Sequence, residues 1–263
     1  MGERKWVSNL GVYVYGAGAL ALGASGLVWR DFAVSWQRVG PRVPGREVLA
    51  IVAAVYEIAA GVMIAWPRTR RTGAAMLTGL YAIFTLLWVV QGVRVPRVYD
   101  GWGNVFEELS LVIAGMVVFA WAAPADSAWS RRRTWISRVY GICPISFGVV
   151  HFVYRAGAAA FVPKWIPPGQ MFWVVVTGVC FWLAAAAILS GILAGLAARL
   201  LTAMIVGFGI LGWLPRLVEL PHMHLMWSAN SINLAMAGAA WVVADAIARD
   251  TNSDSQAAGA VAA

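Results

Sequence analysis

Eight apolar runs partition the chain, near residues 7–28, 48–66, 73–93, 104–122, 136–156, 170–190, 196–214 and 228–248. A helix needs ~20 such residues to cross ~30 Å of hydrocarbon. In lipid every backbone amide and carbonyl must find its partner within the segment, and the runs lack the two-residue alternation of barrel strands. The expected fold is therefore all-α, a polytopic membrane protein with eight transmembrane helices. Composition points the same way, with 61% hydrophobic and 12% charged residues against about 45–50% and about 25% in soluble domains.

A shift of 125 positions lays the chain on itself. Tyr15-Gly16 falls on Tyr140-Gly141, Gly23 on Gly148, Arg30 on Arg155, Trp88 on Trp213, Pro96 on Pro221 and Trp102 on Trp227. Gly and Ala coincide freely in membrane sequences, whereas Tyr, Arg, Trp and Pro recurring at one offset point to an internal repeat. The expected organisation is two parallel four-helix repeats, residues 1–126 and 127–249, joined at a linker near Ser127, with a disordered tail at 250–263. An even number of spans per repeat makes the copies parallel. The first run, ending in Ala24-Ser25-Gly26, imitates a cleaved signal peptide. Its counterpart in the second half argues that it is retained.

The net charge of +8 is spread over short loops, so it speaks for orientation and contact with membrane lipids and not for nucleic acid. Dense basic clusters lie at Arg4-Lys5, at Arg68, Arg70 and Arg71, and at Arg131-Arg132-Arg133, all on the face that holds both termini. The expectation is a membrane protein with both termini cytoplasmic. Cys143 and Cys180 lie in different spans and form no CxxC pair, so they read as buried apolar thiols.

Among polar residues within the spans, Glu57 is the most informative, because a carboxyl there faces the bundle interior and marks a ligand or proton site, or else pairs with a neighbour such as Arg30. Glu107 and Glu108 open the fourth apolar run, where helix amide dipoles favour acids. All three acids belong to the first half. The histidines belong to the second: His151 ends the fifth run, and His222 and His224 follow the seventh. With Met223 and Met226 they suggest copper or another imidazole-binding ion, but no cysteine or carboxylate completes a spacing, and no metal is expected. Nucleotide, flavin and common hydrolase motifs are absent.

The second half, in Gly148-Val149-Val150-His151-Phe152, Phe161-Val162-Pro163-Lys164-Trp165-Ile166-Pro167 and Phe172-Trp173 through Thr177-Gly178, resembles DoxX-like membrane proteins. Tyr56-Glu57-Ile58-Ala59-Ala60-Gly61 is similar to the family's Glu-containing second helix, and the Glu107-Glu108 helix to its fourth. A usual unit of that family has four helices, so this chain resembles a tandem over about residues 7–248. The resemblance implies a bacterial plasma-membrane subunit or anchor of a redox or sulfur-metabolism system, working with a redox partner protein and in contact with quinone. Any enzymatic role would be that of a non-autonomous oxidoreductase subunit. Glu57, His151, Arg155 and Arg30 are then the polar candidates, with Glu107 and Glu108 beside them. The chain departs from the family at Gly26, which stands where the second half has His151, and at Arg155, where the family often has lysine. Two other readings stand beside this one. One is a binding or transport protein holding a small apolar ligand between the two bundles; the other is a purely structural membrane partner. The chain does not fix its oligomeric state.

Overall fold

The protein, seen in a computed structural model that describes residues 9–261, contains only helices and connecting segments among those residues, with side chains of the last helix described through Thr251. Arg4 and Lys5 lie outside the described residues. The helices are α1 (Leu10–Trp29), α2 (Arg46–Ala65), α3 (Arg70–Arg94), α4 (Tyr99–Trp121), α5 (Ala128–Val139), α6 (Ile142–Val153), α7 (Arg155–Ala159), α8 (Gln170–Ser190), α9 (Ala194–Phe208), α10 (Leu214–Glu219) and α11 (His224–Val261). Eight stretches are long and apolar enough to cross a membrane. They are α1 to α4, the α5–α6 pair, α8, the α9–α10 stretch and α11 as far as Thr251. An even number of crossings puts both ends of the chain on one face, called here the terminal face.

Local chemistry explains where the helices start and break. Ser127 caps α5 by accepting a hydrogen bond from the Ser130 amide at 3.1 Å, satisfying one of the helix's orphan donors. Pro144 stands in the first turn of α6, where a missing amide removes no helical bond. Between α9 and α10 the helix widens into a π-helical turn, Gly209–Trp213, just before Pro215. After α2, Thr69 and Arg70 fold back onto the Met63 and Ile64 carbonyls at 2.8 and 3.2 Å, supplying donors that a helix end lacks.

Successive spans pack side by side, and the circuit closes where α1 meets α11. Across its middle α4 touches α11. These two are the most buried spans, with 72% and 67% of their apolar stretches inside the protein against 56% or less elsewhere. The first helix of each half thus lies on the last helix of the other, α1 on α11 and α5–α6 on α4. One continuous apolar core runs from Val12 to Ala246, so the two expected lobes share a single interior.

Glycine makes the α1–α11 contact. A Cβ at Gly18 would lie 2.4 Å from the Ala235 Cα, and one at Gly238 would lie 2.2 Å from the Tyr15 amide nitrogen. Backbone therefore meets backbone, the close approach that small residues permit between helices in lipid. Positions 125 apart also find corresponding neighbours: Gly16 meets Ile64 as Gly141 meets Leu189, and Gly23 meets the Ala54 carbonyl and Ile58 as Gly148 meets the Gly178 carbonyl and Trp182.

Two expectations need correction. Residues 250–261 continue α11; they are not a structureless tail. The helix is anchored where that stretch begins, by Asp250 bonding Arg133 and the Thr134 hydroxyl, the latter at 2.6 Å. Cys143 is buried as expected, but Cys180 is exposed on α8, because it falls on the outward side of that helix.

Gly238→Leu should lower the unfolding free energy by about 1–3 kcal/mol or more, since overpacking here strikes backbone. Gly79, with nothing within 4 Å of its would-be Cβ, is the control, and Gly79→Leu should leave thermal unfolding in detergent unchanged.

Candidate functional site

The connection from α1 to α2 does not stay on the surface. After Arg30 the chain turns back into the first half, and Phe32, Ala33, Trp36 and Gln37 are buried. Ser35, with φ of 72°, makes the reversal, a left-handed conformation that few non-glycine residues adopt. Non-helical backbone at such depth is tolerated only under a cover of protein. Here α3 supplies cover: Phe84 meets Phe32 edge-on at 6.1 Å, and the Trp88 indole donates to the Trp36 carbonyl.

This re-entrant loop presents two donors to the interior. The Gln37 amide Nε2 donates to Glu57 Oε1 at 2.7 Å while its Oε1 accepts from the Ala33 amide at 3.0 Å. The Trp36 indole donates to Glu107 Oε2 at 2.6 Å. Glu57 is 1% exposed and lies eleven residues into α2, about 16 Å along its axis at a rise of ~1.5 Å per residue.

Glu108, also 1% exposed, has no hydrogen-bond partner on either carboxyl oxygen among the described residues. It lies within electrostatic range of Glu57 and Glu107. Two tyrosines lie within electrostatic range of the Glu57 and Glu108 carboxyls. The Tyr15 hydroxyl donates to the Leu111 carbonyl at 2.8 Å, and its ring lies 6.3 Å from that of Tyr81. The fully buried Tyr81 hydroxyl is without a partner among the described residues, within range of Glu57 and Glu108. Two carboxyls this close in a protein interior cannot both stay charged without a compensating proton or cation. The chemistry open to the cluster is therefore proton or cation exchange.

The structure brings together Glu57, Glu107 and Glu108 and separates the other candidates from them. Glu107 and Glu108 are not in a helix's first turn. The helix begins at Tyr99 and Asp100 occupies the first turn, so the dipole explanation falls to Asp100, and both glutamates sit more than two turns deep. The apolar run begins later than the helix, because the first turn of α4 holds polar and aromatic residues. Arg30 does not pair with Glu57. It ends α1 and binds Glu47 at 2.7 Å with both side chains exposed, since Glu57 lies far deeper than an arginine side chain can reach.

Arg155 is exposed on the same outer face. His151 belongs to a separate aromatic cluster, with ring centroids 5.1 Å from Phe181 and 5.9 Å from Phe208, and its Nδ1 is 2.8 Å from the Phe147 carbonyl. His224 stacks on Trp29 at 4.9 Å. Among the described residues no three His, Cys, Asp or Glu side chains are grouped to hold a metal, and the three histidines do not form the common outer site considered from the sequence.

Sequence reasoning missed Trp36, Gln37, Tyr15 and Tyr81 as site residues. Tyr15 carried a signal in its match to Tyr140; Gln37 carried none, since a glutamine between spans reads as a surface residue.

The fold and site define a multi-pass α-helical membrane protein with an acidic centre in one of its two halves. No protein-family model, no curated protein and no solved structure matches the chain.

Gln37→Leu removes the only donor on Glu57 among the described residues and should lower stability by about 1–3 kcal/mol. Trp36→Phe loses the bond to Glu107 and, because a phenyl ring is smaller than the buried indole, also leaves a void beside Trp213, so its effect should be the larger of the two. Thermal unfolding of both variants in one detergent tests the order, and equal, wild-type midpoints would contradict the assigned role of the loop.

Proposed function

We propose that the chain is a DoxX-like protein of a bacterial plasma membrane, with both termini cytoplasmic and two four-helix repeats. In this reading it is a membrane subunit or anchor of a redox or sulfur-metabolism system that contacts quinone and a redox partner protein. Glu57 and Glu108 are its proton-exchanging centre. The observation that carries the reading is the unpartnered Glu108 carboxyl beside Glu57 in the middle of a membrane bundle. Intramembrane acids facing a bundle interior mark proton or ion sites by default. Quinone reduction takes up a proton with each electron, so a buried carboxyl pair is useful beside such chemistry.

The matched contacts of Gly16 with Gly141 and of Gly23 with Gly148 support the two-repeat reading. The basic clusters at Arg68 to Arg71 and Arg131 to Arg133, on the terminal face, support cytoplasmic termini. A carrier holding a small apolar ligand between the halves has less support, because α1 and α11 meet there backbone to backbone.

Two measurements test the proposal. Native mass spectrometry of gently extracted protein should find a quinone bound. Infrared difference spectra between acid and alkaline buffer should show a carboxylic-acid carbonyl band that disappears in Glu108→Gln. Protein that retains no quinone and whose spectrum is the same in Glu108→Gln would refute the reading.

A further inference from the structure

Along α4 the acidic centre of the first half has carboxyl and carboxamide neighbours toward the outer face only. Asn104 follows Asp100 by four residues, and Glu107 and Glu108 follow Asn104 by three and four, spacings that make each a neighbour of the one before along one side of α4. Asp100 is exposed, Asn104 is 8% exposed, Glu107 is half-buried and Glu108 is 1% exposed. The row therefore descends from the outer face, opposite the termini, to the buried pair over about 12 Å, at a rise of ~1.5 Å per residue. Asn104 is fixed in the row by donating to the Asp100 carbonyl at 2.9 Å. Glu107 lies within electrostatic range of Asp100 as well as of Glu108.

A cavity of about 180 Å³, lined by Arg38, Trp88, Gln91 and Asp100 among others, opens at the head of the row. That is room for several waters at ~30 Å³ each. Its Trp88 wall bonds Trp36, and Trp36 bonds Glu107, so the cavity and the row share one hydrogen-bonded strut. At the deep end stands a second unpartnered group, the Tyr81 hydroxyl.

Toward the terminal face the carboxyls stop: the buried Ser110 hydroxyl is turned back to the Glu107 carbonyl at 2.6 Å, and the Tyr15 hydroxyl is held on the Leu111 carbonyl. The next positions on that side of α4, Leu111, Ala114 and Val118, are fully buried and apolar, as are Leu77 of α3 and Ile64 of α2 against them. The fold alone does not demand the row. At the positions 125 later α11 carries Leu225, Ala229, Ile232 and Asn233, and Asn233 is occupied in bonding the Ile205 carbonyl at 3.2 Å.

We infer that α4 carries an outward-facing proton half-channel, in which Asp100, Asn104 and Glu107 connect water at the outer face to the Glu57–Glu108 pair, closed toward the terminal face by the apolar layer around Leu111. The inference rests on the proposed reading of that pair as a proton-exchanging centre and adds the side from which it is served. A proton leaves a hydronium ion at the cavity, passes by way of Asp100, ordered water and Glu107, and is bound by Glu108; release retraces the route, and no electron moves. The titratable or charged groups around the pair are Tyr15 from α1, Glu57 from α2, Tyr81 from α3 and Glu107 on α4, with Arg38 and Asp100 at the mouth. Arg38 lies over the Trp88 ring at 5.0 Å, at the wall of the cavity.

The test is the rate at which the Glu108 carboxylic-acid band shifts when protein in vesicles is mixed with heavy water. Glu107→Gln should slow the shift by about a hundredfold, the scale of losing one positioned proton-transfer group. A second variant joins Val98→Cys, at an exposed apolar wall of the same cavity, to Cys180→Ser. It should exchange normally until a bulky membrane-impermeant thiol reagent is added at the outer face, and again after a reductant removes the reagent. Because that variant is compared with itself, it decides the matter even where Glu107→Gln fails to fold. An unchanged rate in the blocked protein would overturn the half-channel while leaving the proton-exchanging pair intact. Loss of the band from the wild-type spectrum would overturn the pair and the channel together.

Discussion

The close approach of α1 and α11 is the constraint on which the architecture depends. With no hydrophobic drive between helices in lipid, association rests on van der Waals fit and hydrogen bonds, and glycines at 11, 18 and 238 bring the two backbones into contact. That contact closes the circuit of spans, places α4 and α11 at the centre, and makes one core of two halves. The first half can then keep carboxyls inside, because α4, which carries two of them, is covered on nearly every side. Burial of this kind is costly for unpaired polar groups. The Gln37 and Trp36 donors offset part of that cost at Glu57 and Glu107, and nothing offsets it at Glu108.

The two halves use corresponding helices for different interiors. Where the first half has Glu57, the second has Phe181, packed edge-on against Phe147 at 5.5 Å and next to His151. The loops after the first helix of each half diverge as well. In the first half it dives inward with Trp36. In the second, Phe161 lies against Trp213 at 4.4 Å, with the Arg216 guanidinium over its other side at 3.7 Å. Trp213 stands 125 residues after Trp88; each half has an aromatic pair at this place and only the first adds an acid beyond it.

Much of this was legible in the chain, for identifiable reasons. Span number follows from hydropathy and length, which depend on the solvent and not on tertiary detail. Glu57 was legible as an interior group because a carboxyl within an apolar run has nowhere else to go. Glu107 and Glu108 were misread because the apolar run and the helix start at different residues. The helix extends upward to Tyr99 through a polar turn that hydropathy assigns to a loop. The buried path of residues 31–39 was not legible at all: its composition is that of a surface connection, and only the cover given by α3 and α4 makes it interior. The partnership of α1 with α11 was equally hidden, since small residues announce a close contact but not its partner.

That partnership also bears on how the protein is made. Helix α1 ends at Trp29 and α11 begins at His224, so the first span leaves the ribosome well before the helix it rests on. At about 5–20 residues per second the wait is roughly 10–40 s. Throughout it the small-residue face of α1 must be covered by lipid or by the insertion machinery. Until the last span enters the bilayer the ring of helices stays open on that side.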